Sequence, residues 1–119
     1  PFAFRDLIDH GRPDLLNPDV SKLSGLTAAR HVASLAWLRD LPISVHNARP
    51  TLLSAAHAHL VAWAPTASRP QEHPGAARLK ELWRYFREPM LPKDGIFTVP
   101  DTPGLGLEPD EAAIRADAT

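Results

Sequence analysis

A chain of 119 residues without cysteine has room for one domain and cannot be a disulfide framework. Its apolar content of 44% suits an ordinary core, and a formal charge of −1 offers no electrostatic case for nucleic acid or an anionic membrane. No apolar run approaches the roughly 20 residues of a membrane span and the N-terminus lacks the basic, apolar, small-residue order of a signal peptide, so a soluble, cytoplasmic protein is expected.

Proline is abundant, 13 of 119, and its even spread marks it as punctuation between elements instead of a sign of disorder. Pro1-Phe2-Ala3-Phe4 has no initiator methionine and runs straight into a helical pattern, as if cut from something longer. Phe4, Leu7 and Ile8 stand at helical spacing, and Gly11 is the expected residue just past the helix end. Asp14 to Val20 is a brief apolar run closed by Asn17-Pro18. It reads as a short buried strand that delivers Asp19 to its carboxyl end.

Ser24-Gly25-Leu26-Thr27 supplies a loop and an N-cap. From Ala28 to Arg39 an amphipathic helix is predicted, with Ala28, Val32, Leu35 and Ala36 on one face and Arg30, His31 and Ser34 on the other. Leu41-Pro42-Ile43-Ser44-Val45-His46-Asn47 follows, β-branched at its middle, with Pro50 shortly after: a buried strand with a hard stop. Strand, helix, strand at this length is one crossover unit, and adjacent parallel strands lie about 4.8 Å apart. Asp19 and His46 therefore fall at corresponding strand ends, the face of a parallel α/β fold where chemistry collects.

Leu52 to Trp63 is apolar on nearly every side and reads as a buried helix; a third strand, Ala67 to Glu72, is weakly signalled because Pro70 interrupts it. Beyond Pro74, Leu79, Leu82, Trp83 and Phe86 give a helical stripe in a stretch that a structured loop would also explain. Asp94-Gly95 is a turn into Ile96 to Val99, and Pro109-Asp110-Glu111 opens a last helix with proline at its first position.

As a pair, a carboxylate at Asp19 would fix the tautomer and orientation of His46 and make its other nitrogen a better base. The plainer alternative is a loop-capping aspartate and a satisfied core histidine. Glu72, at the end of the third strand, would point into the same mouth and donate to an oxyanion, or else be an exposed loop residue. His57 and His59, two apart on a helix, face different directions and form no metal clip, so structural or surface roles are expected. Lys22 and Asn47 flank the pair and are the candidate substrate-binding residues; a solvated side chain is the other reading of Lys22. Pro103-Gly104-Leu105-Gly106 lacks the strand and helix of a dinucleotide fingerprint and is a backbone turn.

Four separated stretches together carry a resemblance: Asn17-Pro18-Asp19-Val20-Ser21-Lys22-Leu23-Ser24-Gly25-Leu26-Thr27, Val45-His46-Asn47, Gln71-Glu72, and Asp94-Gly95 through Val99-Pro100-Asp101-Thr102-Pro103-Gly104-Leu105-Gly106-Leu107-Glu108. In order and spacing they resemble the enolase superfamily, in its mandelate racemase and muconate lactonizing enzyme-like subgroup, over nearly the whole chain. The resemblance implies an α/β fold, the C-terminal portion of a (β/α)-barrel: its last three strands and helices in residues 1–74, then a segment, 75–119, returning to a capping domain. It makes Asp19 and His46 the catalytic dyad after the sixth and seventh strands, and Glu72 the group that hydrogen-bonds the substrate carboxylate as it becomes an enediolate.

The implied chemistry is removal of a proton α to a carboxylate with Mg²⁺ as cofactor, here in an acid-sugar dehydratase. A racemase or epimerase shares the first half-reaction, and a non-catalytic fragment or interaction protein is the reading from another class. A small-molecule carboxylate and a homo-oligomeric assembly are the implied partners. Ser24-Gly25 stands where the family usually has paired glycines. The family's metal ligands and its lysine motif lie on earlier strands, so no metal ligand is assigned within these residues.

Overall fold

The computed structural model describes residues 1–48, 52–73 and 83–118. Helix α1 (Phe2–Asp6) widens into a π turn, Leu7–Gly11. Arg12, at φ 47°, takes the left-handed position that terminates it, one residue later than Gly11 was expected to. Two extended segments then run parallel around a Leu16–Ile43 bridge. Leu16 N–H donates to the Pro42 carbonyl, and Ser44 and His46 N–H donate to the carbonyls of Leu16 and Pro18, each at 3.0 Å. Among the described residues this pairing is an isolated bridge and not a full strand.

Proline explains the brevity. Pro18 can accept in the ladder but has no N–H to give to the Ser44 carbonyl. The side-chain amide of the preceding Asn17 donates to that carbonyl instead.

Helix α2 spans Leu26–Leu38 and buries Ala29, Val32, Ala33 and Ala36, the i, i+3, i+4, i+7 set of one helical face. The buried face is turned by one position from the predicted one: Ala28 and Leu35 are only half-buried. Three alanines are good helix formers that cost little side-chain entropy, and their small size lets α2 lie close over Leu16 and Ile43. Gly25, at φ 102°, is the N-cap that the Ser24 to Thr27 stretch supplies, and no side chain caps the helix. Helix α3, Leu52–Trp63, buries Ser54 to His57 and Leu60, but Leu52 and Trp63 are exposed at its ends.

The expected third strand, Ala67 to Glu72, is absent. Thr66 accepts from Ile43 N–H through its carbonyl, but beyond it Pro70 denies a continuous ladder. Gln71 replaces the missing backbone with its own amide: Oε1 accepts from Val45 N–H at 2.9 Å and Nε2 donates to the Ile43 carbonyl at 3.3 Å.

The predicted stripe at Leu79 and Leu82 lies outside the described residues. Trp83–Tyr85 is a single 3₁₀ turn. Asp94 and Gly95 both have positive φ, 52° and 78°, and Lys93 and Ile96 exchange two backbone hydrogen bonds across them, the two-residue hairpin expected of Asp-Gly. Gly106 turns the chain at φ 74°, where a Cβ would strike Pro100. The last helix, Glu111–Asp117, is capped by the Asp110 carboxylate, which accepts from Ala113 N–H; Pro109 therefore precedes the cap instead of occupying the first helical position.

The core is one cluster from Ile8 through Ala64, with Leu16, Val32, Ile43 and Val45 fully enclosed. A second cluster packs Trp83 and Met90 on Ala55 of α3, and His59 Nε2 lies 3.3 Å from the Leu105 carbonyl, so the tail folds back onto α3. No helix among the described residues is long and apolar enough to cross a membrane.

Candidate active site

The hydrogen bond from His46 N–H to the Pro18 carbonyl locks the residue after Pro18 beside His46. The consequence is direct contact: His46 Nδ1 lies 3.3 Å from Asp19 Oδ2. The second oxygen of Asp19 is occupied elsewhere. Oδ1 accepts from both the backbone N–H and the hydroxyl of Ser21, at 2.8 and 2.7 Å, an Asx turn reinforced by the serine side chain. Lys22 and Leu23 N–H close the loop onto the Asp19 carbonyl.

Partial burial acts to raise the Asp19 pKa, but the two bonds from Ser21, then His46 and the nearby His57, outweigh it. The carboxyl is held below its ordinary value. An ionised Asp19 accepts a proton donor at His46 Nδ1, which leaves the lone pair of Nε2 on a ring whose side chain is 49% exposed. That is the form of a general base.

Glu72 sits across Asn47. Its Oε2 accepts from Asn47 N–H at 2.7 Å, while the Asn47 side-chain oxygen accepts from Ser54 Oγ at 2.9 Å. Asn47 is thus buried and already engaged on two sides. Two cavities meet here. One, about 380 Å³, is lined by Asp19, Ser21, Lys22, His46, Asn47 and His57. The other, about 300 Å³, is lined by Val45, Asn47, His57, Glu72, His73 and Phe97 among others. Glu72 therefore opens into the neighbouring cavity and not, within this chain, into the mouth that holds His46; Asn47 and His57 form the wall between them. Lys22 is exposed at the rim of the first.

Two contributors were not foreseen. Ser21 was legible in principle, since Asp-x-Ser is an Asx-turn pattern. His57, expected to be structural or at the surface, is buried, accepts from Val20 N–H through Nε2 at 3.0 Å, and lies 3.6 Å from Asp19 Oδ1. Helical spacing carries no signal for that contact, because it depends on a loop 37 residues away. Burial lowers the His57 pKa; Asp19 and Glu72 pull it up and His46 pushes it down, and burial prevails. Among the described residues no group of three or more His, Cys, Asp or Glu could hold a metal ion, so these residues do not by themselves make a Mg²⁺ site.

The chain as a whole is similar to known proteins. D-xylonate dehydratase of Haloferax volcanii is 28% identical over 115 residues, which cover 97% of this chain and 27% of that protein. The crystal structure of a mandelate racemase/muconate lactonizing protein from Paracoccus denitrificans Pd1222 superposes with a TM-score of 0.86 at 29% identity, over 97% of this chain and 30% of that one. L-talarate dehydratase from Polaromonas sp. JS666, solved with Mg and L-glucarate, gives 0.71 at 31% identity, over 94% and 28%. The chain spans about a third or less of each relative. Residues 1–113 match the family described as enolase C-terminal domain-like, and the chain belongs to that family, as part of the enolase-type barrel of the mandelate racemase and muconate lactonizing proteins.

Proposed function

We propose that the whole protein is an acid-sugar dehydratase that removes the proton α to a carboxylate and expels the β-hydroxyl, giving a 2-keto-3-deoxy acid. The observation that carries this is the 3.3 Å approach of His46 Nδ1 to Asp19 Oδ2, with the other carboxylate oxygen tied to Ser21. Asp19 orients the ring and sets its tautomer. His46 Nε2 takes the α-proton, or returns a proton to the departing hydroxyl so that it leaves as water. Glu72, fixed by Asn47 N–H, serves the carboxylate side once the rest of the protein completes the site; Lys22 and Asn47 contact the anionic substrate.

The dehydratases among the relatives, one of them solved with L-glucarate, support the substrate class. Mg²⁺ is proposed as the cofactor that stabilises the enediolate, held by residues outside this chain; magnesium in the talarate dehydratase structure supports it. The same proposal includes a boundary near residue 74, where the alternation of extended segment and helix gives way to a turn-rich tail, and a homo-oligomeric assembly. The mandelate racemase likeness favours racemisation or epimerisation as the second reading.

The test is turnover of a panel of acid sugars in D₂O by the full-length protein and its His46→Asn variant. The expected result is a 2-keto-3-deoxy product, lost by a factor on the order of 10²–10⁴ in the variant. Solvent deuterium at the α-carbon of an otherwise intact substrate means racemisation. Unchanged turnover in His46→Asn overturns the role given to His46.

A further inference from the structure

His57 is the buried titratable group that the proposed mechanism leaves unused. It sits on α3, 2% exposed, in the wall shared by the two cavities. A backbone amide can only donate. The 3.0 Å bond from Val20 N–H therefore requires a lone pair on Nε2, and the proton of the neutral ring must be on Nδ1. Nδ1 has no hydrogen-bond partner among the described residues.

The neighbourhood makes this tautomer matter. Nε2 also faces Asp19 Oδ1 at 3.6 Å. A protonated His57 would turn Nε2 into a donor, release Val20 N–H, and draw Asp19 away from His46. An uncharged His57 does the opposite: it holds the backbone immediately after Asp19 and leaves the carboxylate to Ser21 and His46. Burial keeps the ring neutral against the pull of Asp19 and Glu72, with His46 opposing protonation. His73 lines the cavity on the α3 side and His46 the one on the Asp19 side.

We infer that His57 is a positioning residue for the Asp19–His46 pair: as a neutral imidazole protonated on Nδ1, it pins the Val20 amide and so sets the reach of Asp19 to His46. The inference rests on reading that pair as the proton-transfer assembly.

The test uses the full-length protein. Imidazole ¹⁵N correlation spectra near pH 7.5 are expected to show His57 as the neutral Nδ1–H tautomer; an Nε2–H tautomer or an imidazolium there overturns the inference. His57→Phe keeps a ring without an acceptor, and His57→Gln offers a side-chain oxygen to Val20 N–H. In the Phe variant the His46 ring ¹⁵N resonances are expected to shift at fixed pH, because a displaced Asp19 no longer accepts from Nδ1. Its kcat is expected to fall on the order of 10- to 100-fold, with KM within about threefold. The Gln variant should recover most of both. His46 ring resonances and kcat unaltered in His57→Phe, or equal loss in both variants, overturn it. If His57→Phe does not fold, the tautomer and the Gln variant decide. The spectra need no substrate, so a protein that turns over no acid sugar yet shows the tautomer and the His46 shift refutes the dehydratase reading and leaves this one standing.

Discussion

Asp19 divides its labour between two oxygens, one given to Ser21 and one to His46. Ser21 is thus the residue through which the loop controls the charge at the site. Ser21→Ala removes one of the bonds that outweigh burial, so the Asp19 pKa should rise toward its ordinary value. The sign follows for stability. A carboxyl with a depressed folded pKa contributes stability that is complete above its unfolded value, near 3.8, and is lost as pH falls through the lower folded value. In Ser21→Ala that contribution shrinks, and acid unfolding should begin at higher pH. Side-chain carboxyl ¹³C titration of Asp19 checks the first expectation and unfolding midpoints between pH 5 and 3 the second; an unmoved Asp19 titration would mean that the Ser21 hydroxyl does not matter. At this scale the residue types near strand ends were readable, because a parallel pair brings equivalent ends together whatever surrounds them. The His57 contact was not, since nothing local in Leu52 to Trp63 distinguishes the ring that meets a distant amide from His59, which meets the Leu105 carbonyl.

Among the elements, α2 and α3 were predicted to within two residues at either end, as 3.6-residue periodicity and alanine content allow. The extended segments were harder to foresee, and the reason lies in particular prolines. Pro18 and Pro70 each remove a donor where a ladder would need one, and side-chain amides from Asn17 and Gln71 stand in. A pattern of hydrophobicity cannot announce that substitution. Gln71→Met keeps length and removes both bonds to the Ile43–Val45 stretch. Val45 is 1% exposed, so its N–H would be left without an acceptor, at a cost of about 1–3 kcal/mol. Chemical unfolding of the full-length variant should show that loss, and because Val45 precedes His46 the His46 resonances should shift with it. A midpoint equal to that of the parent protein would show that water replaces the amide.

For the whole molecule, the described residues bring Asp19 and His46 together but hold no metal-binding cluster, and Glu72 faces a second cavity. Glu72 was expected in the mouth that holds His46, and the strand spacing behind that expectation says nothing of the buried Asn47 and His57 that stand between the two cavities. Chelation of the full-length protein should abolish the proposed dehydration, and Mg²⁺ should restore it, while the His46 ring resonances stay in place, since its partner Asp19 belongs to this chain. Loss of the Asp19–His46 coupling on chelation would place the ion against the pair itself. The amide rungs have one more effect. A peptide ladder tolerates nearly any change of side chain, but the stitches made by Asn17 and Gln71 are written in single codons. The register that seats the imidazole beside the carboxylate is in that respect editable, one letter at a time, in a way that ordinary sheets are not.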